Sequence, residues 1–102
     1  MPRVPLDVTA RRTAADGRPG VTVRLSNDTG RVAFFERAEV LSTHDGDEIL
    51  PVEYSDNYVT VFPGESVELL ATLPDSAAEA NWVRVQGYNT PPTVVPVGDA
   101  SR

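Results

Sequence analysis

Short runs in which apolar and polar residues alternate cover most of the chain, and this pattern is typical of strands with one buried face. Residues 6–10 (LDVTA) and 21–25 (VTVRL) show it most clearly. Residues 16–20 (DGRPG) and 27–30 (NDTG) come after these runs and are rich in glycine, proline and asparagine, which turns favour. We therefore expect a first strand that ends near Ala14 and a second strand with its own turn after it.

Residues 32–42 (VAFFERAEVLS) predict a longer strand, because the β-branched and aromatic residues at its start favour an extended chain over a helix. One face would be apolar and carry Phe34, Ala38 and Val40. The other face would be charged and carry Arg37 and Glu39. Glu36 interrupts this alternation by falling on the apolar face. Two explanations are open: a bulge that shifts the alternation by one residue, or a position near the sheet edge where the carboxylate reaches water. We expect the edge position.

Residues 54–73 (YSDNYVTVFPGESVELLATL) predict a β-hairpin. Its strands would be a short one at 58–62 and a longer one at 66–73. In the longer strand every second residue is apolar and would point inward; these residues are Val67, Leu69, Ala71 and Leu73. The hairpin is the clearest local β feature of the chain.

Four residues of this region are predicted to have structural roles in turns. Pro63 and Gly64 have the residue types of the two central positions of a type II turn, where the second residue needs a positive φ. Asp56 and Asn57 are expected to stabilise a turn through hydrogen bonds from side chain to backbone. None of the four is expected to bind a ligand.

The rest of the chain predicts three more strands and one helical turn. The strands lie at 49–53, 82–89 and 93–97, and the helical turn lies within 74–80. In total the chain has about seven or eight short antiparallel strands, the pattern of an immunoglobulin-like sandwich of two sheets. We predict an all-β fold with a single immunoglobulin-like β-sandwich domain over residues 1–102, and a core within about 6–97.

Composition excludes several functions. The formal charge is −6, and all nine basic side chains are arginine. An acidic domain with scattered arginines lacks the concentrated positive charge that nucleic acids and anionic membranes require, so we predict neither partner. The absence of cysteine excludes disulfides, thiolate zinc sites and cysteine nucleophiles. No apolar run approaches the ~20 residues of a membrane span, and we expect a soluble chain whose export signal, if there is one, lies in a longer polypeptide.

The strand at 82–89 contains the main candidate contact residues. Trp82, Arg84 and Tyr88 share one face, opposite Val83 and Val85. If a bulge near Gly87 shifts the alternation, both rings would pack in the core or under a loop, and we place this interpretation first. The alternatives are an interface with a neighbouring domain and a platform for a sugar ring.

His44 is the only histidine and lies in a polar loop with Asp45, Asp47 and Glu48. Carboxylates at this density could bind calcium, but the ligand spacing of a calcium loop is absent, so we expect a solvated acidic loop. No serine or cysteine nucleophile lies in a recognisable context for a catalytic histidine. We therefore predict no catalytic residue, no cofactor and no metal site.

Five short motifs, in this order, resemble a known family over about residues 6–97. They are Asn27 at a strand end, Ala33-Phe34-Phe35, Asp56-Asn57-Tyr58, Pro63-Gly64-Glu65 and Gly87-Tyr88-Asn89. Together they resemble the carboxy-terminal immunoglobulin-like domain of family 2 glycoside hydrolases, of the exo-β-D-glucosaminidase and β-mannosidase type. Two residues depart from that pattern: Glu36, where an apolar residue is usual, and Tyr88, where tryptophan is common.

This resemblance implies an accessory domain and not an enzyme. In such hydrolases two carboxylates about 5 Å apart perform retaining hydrolysis, and they lie on a separate (β/α)₈ barrel of about 250 residues, which a chain of 102 residues is too short to contain. The implied role is to pack against the other domains and to support the barrel in the degradation of polysaccharides or oligosaccharides. The alternative is an independent carbohydrate-binding or protein-interaction module.

Overall fold

The computed structural model describes residues 3–15, 17–44, 46, 53–56, 58–73 and 80–98. These residues form eight strands: β1 (Asp7–Ala15), β2 (Arg18–Ser26), β3 (Ala33–Leu41), β4 (Glu53–Tyr54), β5 (Val59–Val61), β6 (Ser66–Thr72), β7 (Trp82–Gln86) and β8 (Thr93–Gly98). The predicted all-β fold is confirmed. Most of the predicted strand at 49–53, and the predicted helical turn except Ala80, lie outside the described residues. In the described part of the chain no helix has the length and hydropathy needed to cross a membrane.

The strands follow the order β4-β6-β2-β1-β8-β7-β3-β5. A short parallel contact, Ala10 with Val97 and Arg11 with Gly98, joins β1 to β8 and divides the order into two halves of four strands. All other strand pairs are antiparallel. The prediction of antiparallel strands is therefore wrong for this one pair, which closes the sandwich along one side.

The core lies between the two halves and takes alternate residues from each. In β2, β6 and β7 the buried residues fall on every second position over the runs predicted from the sequence. The central members of the cluster are Val21, Val23 and Leu25 from β2, Leu69 and Ala71 from β6, Ala38 and Val40 from β3, and Val83 and Val85 from β7. A strand period of two residues explains why these positions could be predicted.

The predicted hairpin at 54–73 is wrong, although both of its strands exist. β5 pairs with β3 in one half, whereas β6 pairs with β2 and β4 in the other. The turn between β5 and β6 therefore crosses from one half of the sandwich to the other. Its geometry is that of the predicted turn type: Glu65 N donates to Phe62 O at 3.0 Å, and Gly64 has φ 76°. Alternation shows which residues of a strand face inward, but it does not identify the neighbouring strand.

Asn27 holds this crossing turn against the end of β2. Its backbone N donates to Glu65 O at 2.9 Å, and its carbonyl accepts from Gly64 N at 2.8 Å. The side chain is fully buried: Nδ2 donates to Arg31 O and to Val61 O, and Oδ1 accepts from the N and Oγ1 of Thr29. Asn27 therefore ties β2 of one half to β5 of the other with all of its amide atoms hydrogen bonded.

We expect Asn27→Ala to destabilise the 102-residue chain by about 2–3 kcal/mol, because it leaves buried groups such as Val61 O without a donor. Urea unfolding measures this loss. The matched control is Asn81→Ala, which removes an exposed amide that accepts from Arg12 Nη2 at 3.0 Å and should cost less than about 1 kcal/mol. Equal losses in the two variants would contradict the role of Asn27.

Candidate functional site

A bulge in β3 determines which side chains reach the surface next to β5. The ladder pairs Ala33 with Val61 and then Glu36 with Val59, so that Phe34 and Phe35 together lie opposite Thr60. Phe35 has φ 56° and is 55% exposed. The expected position of Glu36 in water at an edge is wrong, because Glu36 is completely buried. The extra residue shifts the alternation, as bulges do, and turns Phe35 outward and Glu36 inward.

A surface groove of about 390 Å³ lies beside this bulge. Phe35, Arg37, Tyr58, Gln86, Gly87 and Tyr88 line it, and we call it the aromatic groove. Tyr58 immediately precedes β5 and, like Phe35, has a positive φ, of 59°. Tyr58 is 64% exposed and Tyr88 is 70% exposed. Three large rings therefore reach solvent around one concave surface.

The loop after β7 fixes the position of Tyr88 against the bulge. Tyr88 N donates to Phe34 O at 2.9 Å. The Asn89 side chain accepts from Phe34 N at 2.9 Å and donates from Nδ2 to Val32 O at 2.8 Å. A Cβ atom at Gly87 would overlap the carboxyl group of Glu36, so glycine is required for this close approach. Hydrogen bonds and close packing therefore hold the groove in one shape.

Glu36 lies directly behind the groove as a buried carboxyl group. Burial raises its pKa above the ordinary value and outweighs the lowering effect of the hydrogen bond with Thr90. Thr90 Oγ1 lies 2.8 Å from Glu36 Oε2 and 2.9 Å from Val4 O. A hydroxyl group has one hydrogen, so both contacts are hydrogen bonds only if Glu36 donates to Thr90 and Thr90 donates to Val4. Among the described residues Glu36 Oε1 has no partner, and these facts together favour the neutral acid.

Glu39 organises the outer face of β3 and β7 beside the groove. It is 6% exposed and accepts from Arg84 Nε at 3.1 Å, from Arg84 Nη2 at 3.0 Å and from Gln86 Nε2 at 2.8 Å. Arg37 Nη1 lies 2.9 Å from Oε2 of the same carboxylate. The hydrogen bonds from Arg84 hold the pKa of Glu39 below its ordinary value against the opposing effect of burial. This face therefore carries two guanidinium groups that share one carboxylate.

The structure separates the three contact residues that the sequence grouped together. Trp82 is half-buried, and its ring lies edge to face against that of His44, with the ring centroids 4.9 Å apart. Arg84 is bound to Glu39, and Tyr88 lies beyond the other end of β7 at the groove. Tyr88 is not packed in the core, so the interpretation that we placed first is wrong for this ring. A contact role for Trp82, Arg84 and Tyr88 stays a prediction.

The remaining sequence candidates are described only in part. Pro63 and Gly64 form the crossing turn, and Asp56 is exposed, whereas Asn57 lies outside the described residues. So do Asp45, Asp47 and Glu48 of the acidic loop. Within the described ranges no group of three or more His, Cys, Asp or Glu side chains could hold a metal ion.

Phe35, Arg37 and Tyr58 are site residues that the sequence did not predict. Phe35 and Tyr58 lie in the motifs Ala33-Phe34-Phe35 and Asp56-Asn57-Tyr58, which indicated only the family. The alternation of residues cannot show that Phe35 and Tyr58 point outward, because a positive φ reverses the direction of the side chain locally. The proximity of two aromatic motifs to a Gly-aromatic-Asn motif was the available signal.

Fold and site together define an immunoglobulin-like β-sandwich domain that presents an aromatic groove at its surface. The chain belongs to the family of exo-β-D-glucosaminidase Ig-fold domains, whose model matches residues 1–90. This confirms the resemblance read from the five motifs.

Relatives and solved structures agree with this assignment. The chain is 40% identical over 100 residues to an exo-β-D-glucosaminidase of Streptomyces avermitilis, covering 94% of this chain and 11% of that protein. It is 41% identical over 73 residues to an exo-β-D-glucosaminidase of Arthroderma benhamiae, covering 72% of this chain and 8% of that protein. The crystal structure of the Amycolatopsis orientalis exo-chitosanase CsxA superposes with a TM-score of 0.81 at 34% identity, over 93% of this chain and 12% of that chain. The chain thus spans about a tenth of the length of these relatives.

We expect Glu36→Gln to stabilise the 102-residue chain at neutral pH, because an amide is uncharged without taking up a proton and can still donate to Thr90. The stability that Glu36 contributes is fully present below its unfolded pKa, near 4.5, and is lost as pH rises through its raised folded pKa. Urea unfolding across a pH series should therefore show that Glu36→Gln raises the free energy of unfolding. This gain should increase as pH rises above about 4.5 and then level off.

Glu39→Gln is the matched control, because the pKa of Glu39 is lowered. Its contribution is present above the unfolded value and is lost only as pH falls through the lowered folded value. The loss caused by Glu39→Gln should therefore stay constant between about pH 5 and pH 8. A Glu36→Gln difference that is equally flat over this range would contradict a neutral Glu36.

Proposed function

We propose that this domain is a non-catalytic accessory domain of a family 2 glycoside hydrolase that acts on β-linked glucosaminides. It packs against the other domains of its polypeptide and supports the catalytic barrel. The observation that carries the proposal is the extent of the matches: 94% of the chain aligns with only 11% of one exo-β-D-glucosaminidase, and 72% of it with only 8% of another.

The chemistry of the buried carboxyl groups supports a non-catalytic role. Retaining hydrolysis needs a nucleophilic carboxylate and an acid/base carboxyl group that both reach the sugar. Glu36 is buried behind Gly87, and both oxygens of Glu39 bind guanidinium or amide groups. Both groups are therefore occupied in the fold of the domain itself.

We expect the 102-residue chain alone to release no p-nitrophenol from p-nitrophenyl-β-D-glucosaminide, while the longer polypeptide that contains it hydrolyses this substrate. Deletion of the domain should lower the melting temperature of that polypeptide, because it removes a packed neighbour of the barrel. A polypeptide without a barrel domain, or one that leaves the glucosaminide intact, would contradict the proposal.

Carbohydrate binding is the second candidate function, and the exposed rings of the aromatic groove favour it. Exposed aromatic side chains can stack on sugar rings. The only tryptophan, Trp82, lies six residues from Tyr88 along the chain, which is about 20 Å in an extended strand. Tryptophan fluorescence would therefore report a sugar beside Trp82 but not one in the groove. Titration calorimetry with chitosan and manno-oligosaccharides covers both positions, and no heat of binding to the 102-residue chain would exclude this function.

A further inference from the structure

The exposed apolar surface of the described residues is concentrated at the aromatic groove. Four large hydrophobic side chains in this part of the chain are strongly exposed, and three of them, Phe35, Tyr58 and Tyr88, line the groove. The fourth is Phe62 at the crossing turn. Single exposed apolar residues are common on protein surfaces, but clusters of them mark sites of interaction.

The backbone of the groove is strained at two of these rings. Among the described residues other than glycine, Phe35 and Tyr58 are the ones with positive φ, at 56° and 59°. Bulky residues avoid this region because Cβ crowds the backbone. Strain of this kind persists where the surrounding structure fixes it, often at binding sites. Both rings remain more than half exposed, so the strain directs them toward solvent and does not bury them.

The polar side chains of the groove are already partnered within the domain. Arg37 is paired with Glu39 at 2.9 Å, and Gln86 donates to the same carboxylate at 2.8 Å. Paired side chains of this kind suit the centre of a protein interface, where unpaired charges are rare and aromatic residues and arginine are enriched. They suit the ammonium group of a glucosamine unit less well, because none of the described residues that line the groove carries a carboxylate.

We propose that the aromatic groove is the surface through which this domain docks on a neighbouring domain of its own polypeptide. The inference rests on the proposed function. The matched relatives place about nine-tenths of their length outside this domain, so neighbouring domains are available in the same chain. The surface that enters the groove is apolar and uncharged, and it inserts side chains between Phe35, Tyr58 and Tyr88. Because hydrogen bonds from Tyr88 N and the Asn89 side chain hold the loop after β7 against the bulge, little backbone entropy is lost on docking.

The test compares two settings for the same variants, the 102-residue chain and the intact longer polypeptide, by differential scanning calorimetry. Phe35→Gly and Tyr58→Gly remove a ring and also relieve the positive φ, because glycine adopts it without a clash. We expect them to leave the melting temperature of the 102-residue chain unchanged or to raise it. In the intact polypeptide the same variants should lower the melting transition of this domain by about 3–8 °C, since docking is lost.

Tyr88→Ser removes the third ring without a change of backbone preference and should lower the transition only in the intact polypeptide. Phe62→Ser is the matched control: Phe62 is as exposed as Phe35, at 55%, but lies outside the groove. Phe62→Ser should change the melting temperature of the domain by the same amount in the 102-residue chain and in the intact polypeptide. A change of the same sign and size in both settings for Phe35→Gly and Tyr58→Gly would overturn the docking proposal and leave the proposed function intact.

Two further outcomes separate the remaining explanations. A glucosamine oligosaccharide that binds the 102-residue chain saturably in titration calorimetry, and loses at least about tenfold in affinity in Tyr58→Gly, would assign the groove to carbohydrate and overturn docking. Whether the longer polypeptide is a glucosaminidase is tested separately, by the release of p-nitrophenol. A failure there contradicts the proposed function, whatever the calorimetry of the groove shows.

Discussion

Where Phe34 and Phe35 of β3 together face Thr60 of β5, one extra residue sets the arrangement of the whole site. It turns Phe35 to solvent with a positive φ and Glu36 into the interior. The buried carboxyl group then requires glycine at position 87, and the loop after Gly87 brings Tyr88 and Asn89 against the bulge. A local irregularity of the ladder thus controls residues that are about 50 positions apart in sequence.

Much of the sandwich could be predicted from the sequence because strand alternation is local. The buried positions of β2, β6 and β7 follow directly from a period of two. Strand partnership is a long-range property, and for this reason the run at 54–73 suggested a hairpin. The backbone of Asn27 and the contacts of its buried amide hold that turn as a crossing between the two halves.

The candidate site was predicted less well, for a related reason. Trp82 and Arg84 do share the outer face of β7, as alternation predicts, but Arg84 is bound to Glu39 across the ladder. Phe35 and Tyr58 were missed because their orientation depends on the sign of φ, which composition and periodicity do not encode. The family, by contrast, could be identified, because short motifs such as Gly87-Tyr88-Asn89 keep their order in the chain even where each residue's contacts are unknown.

The contact between Gly87 and Glu36 also limits the order in which this domain can change during evolution or in a mutant library. Any side chain at position 87 would overlap the carboxyl group at position 36, so a substitution at 87 is accommodated only if the Glu36 side chain moves. A first substitution at 36 to a shorter residue removes this overlap before position 87 changes. The two sites are therefore coupled: the residues that position 87 tolerates depend on the residue at position 36, so single-site libraries would understate the variation that position 87 accepts.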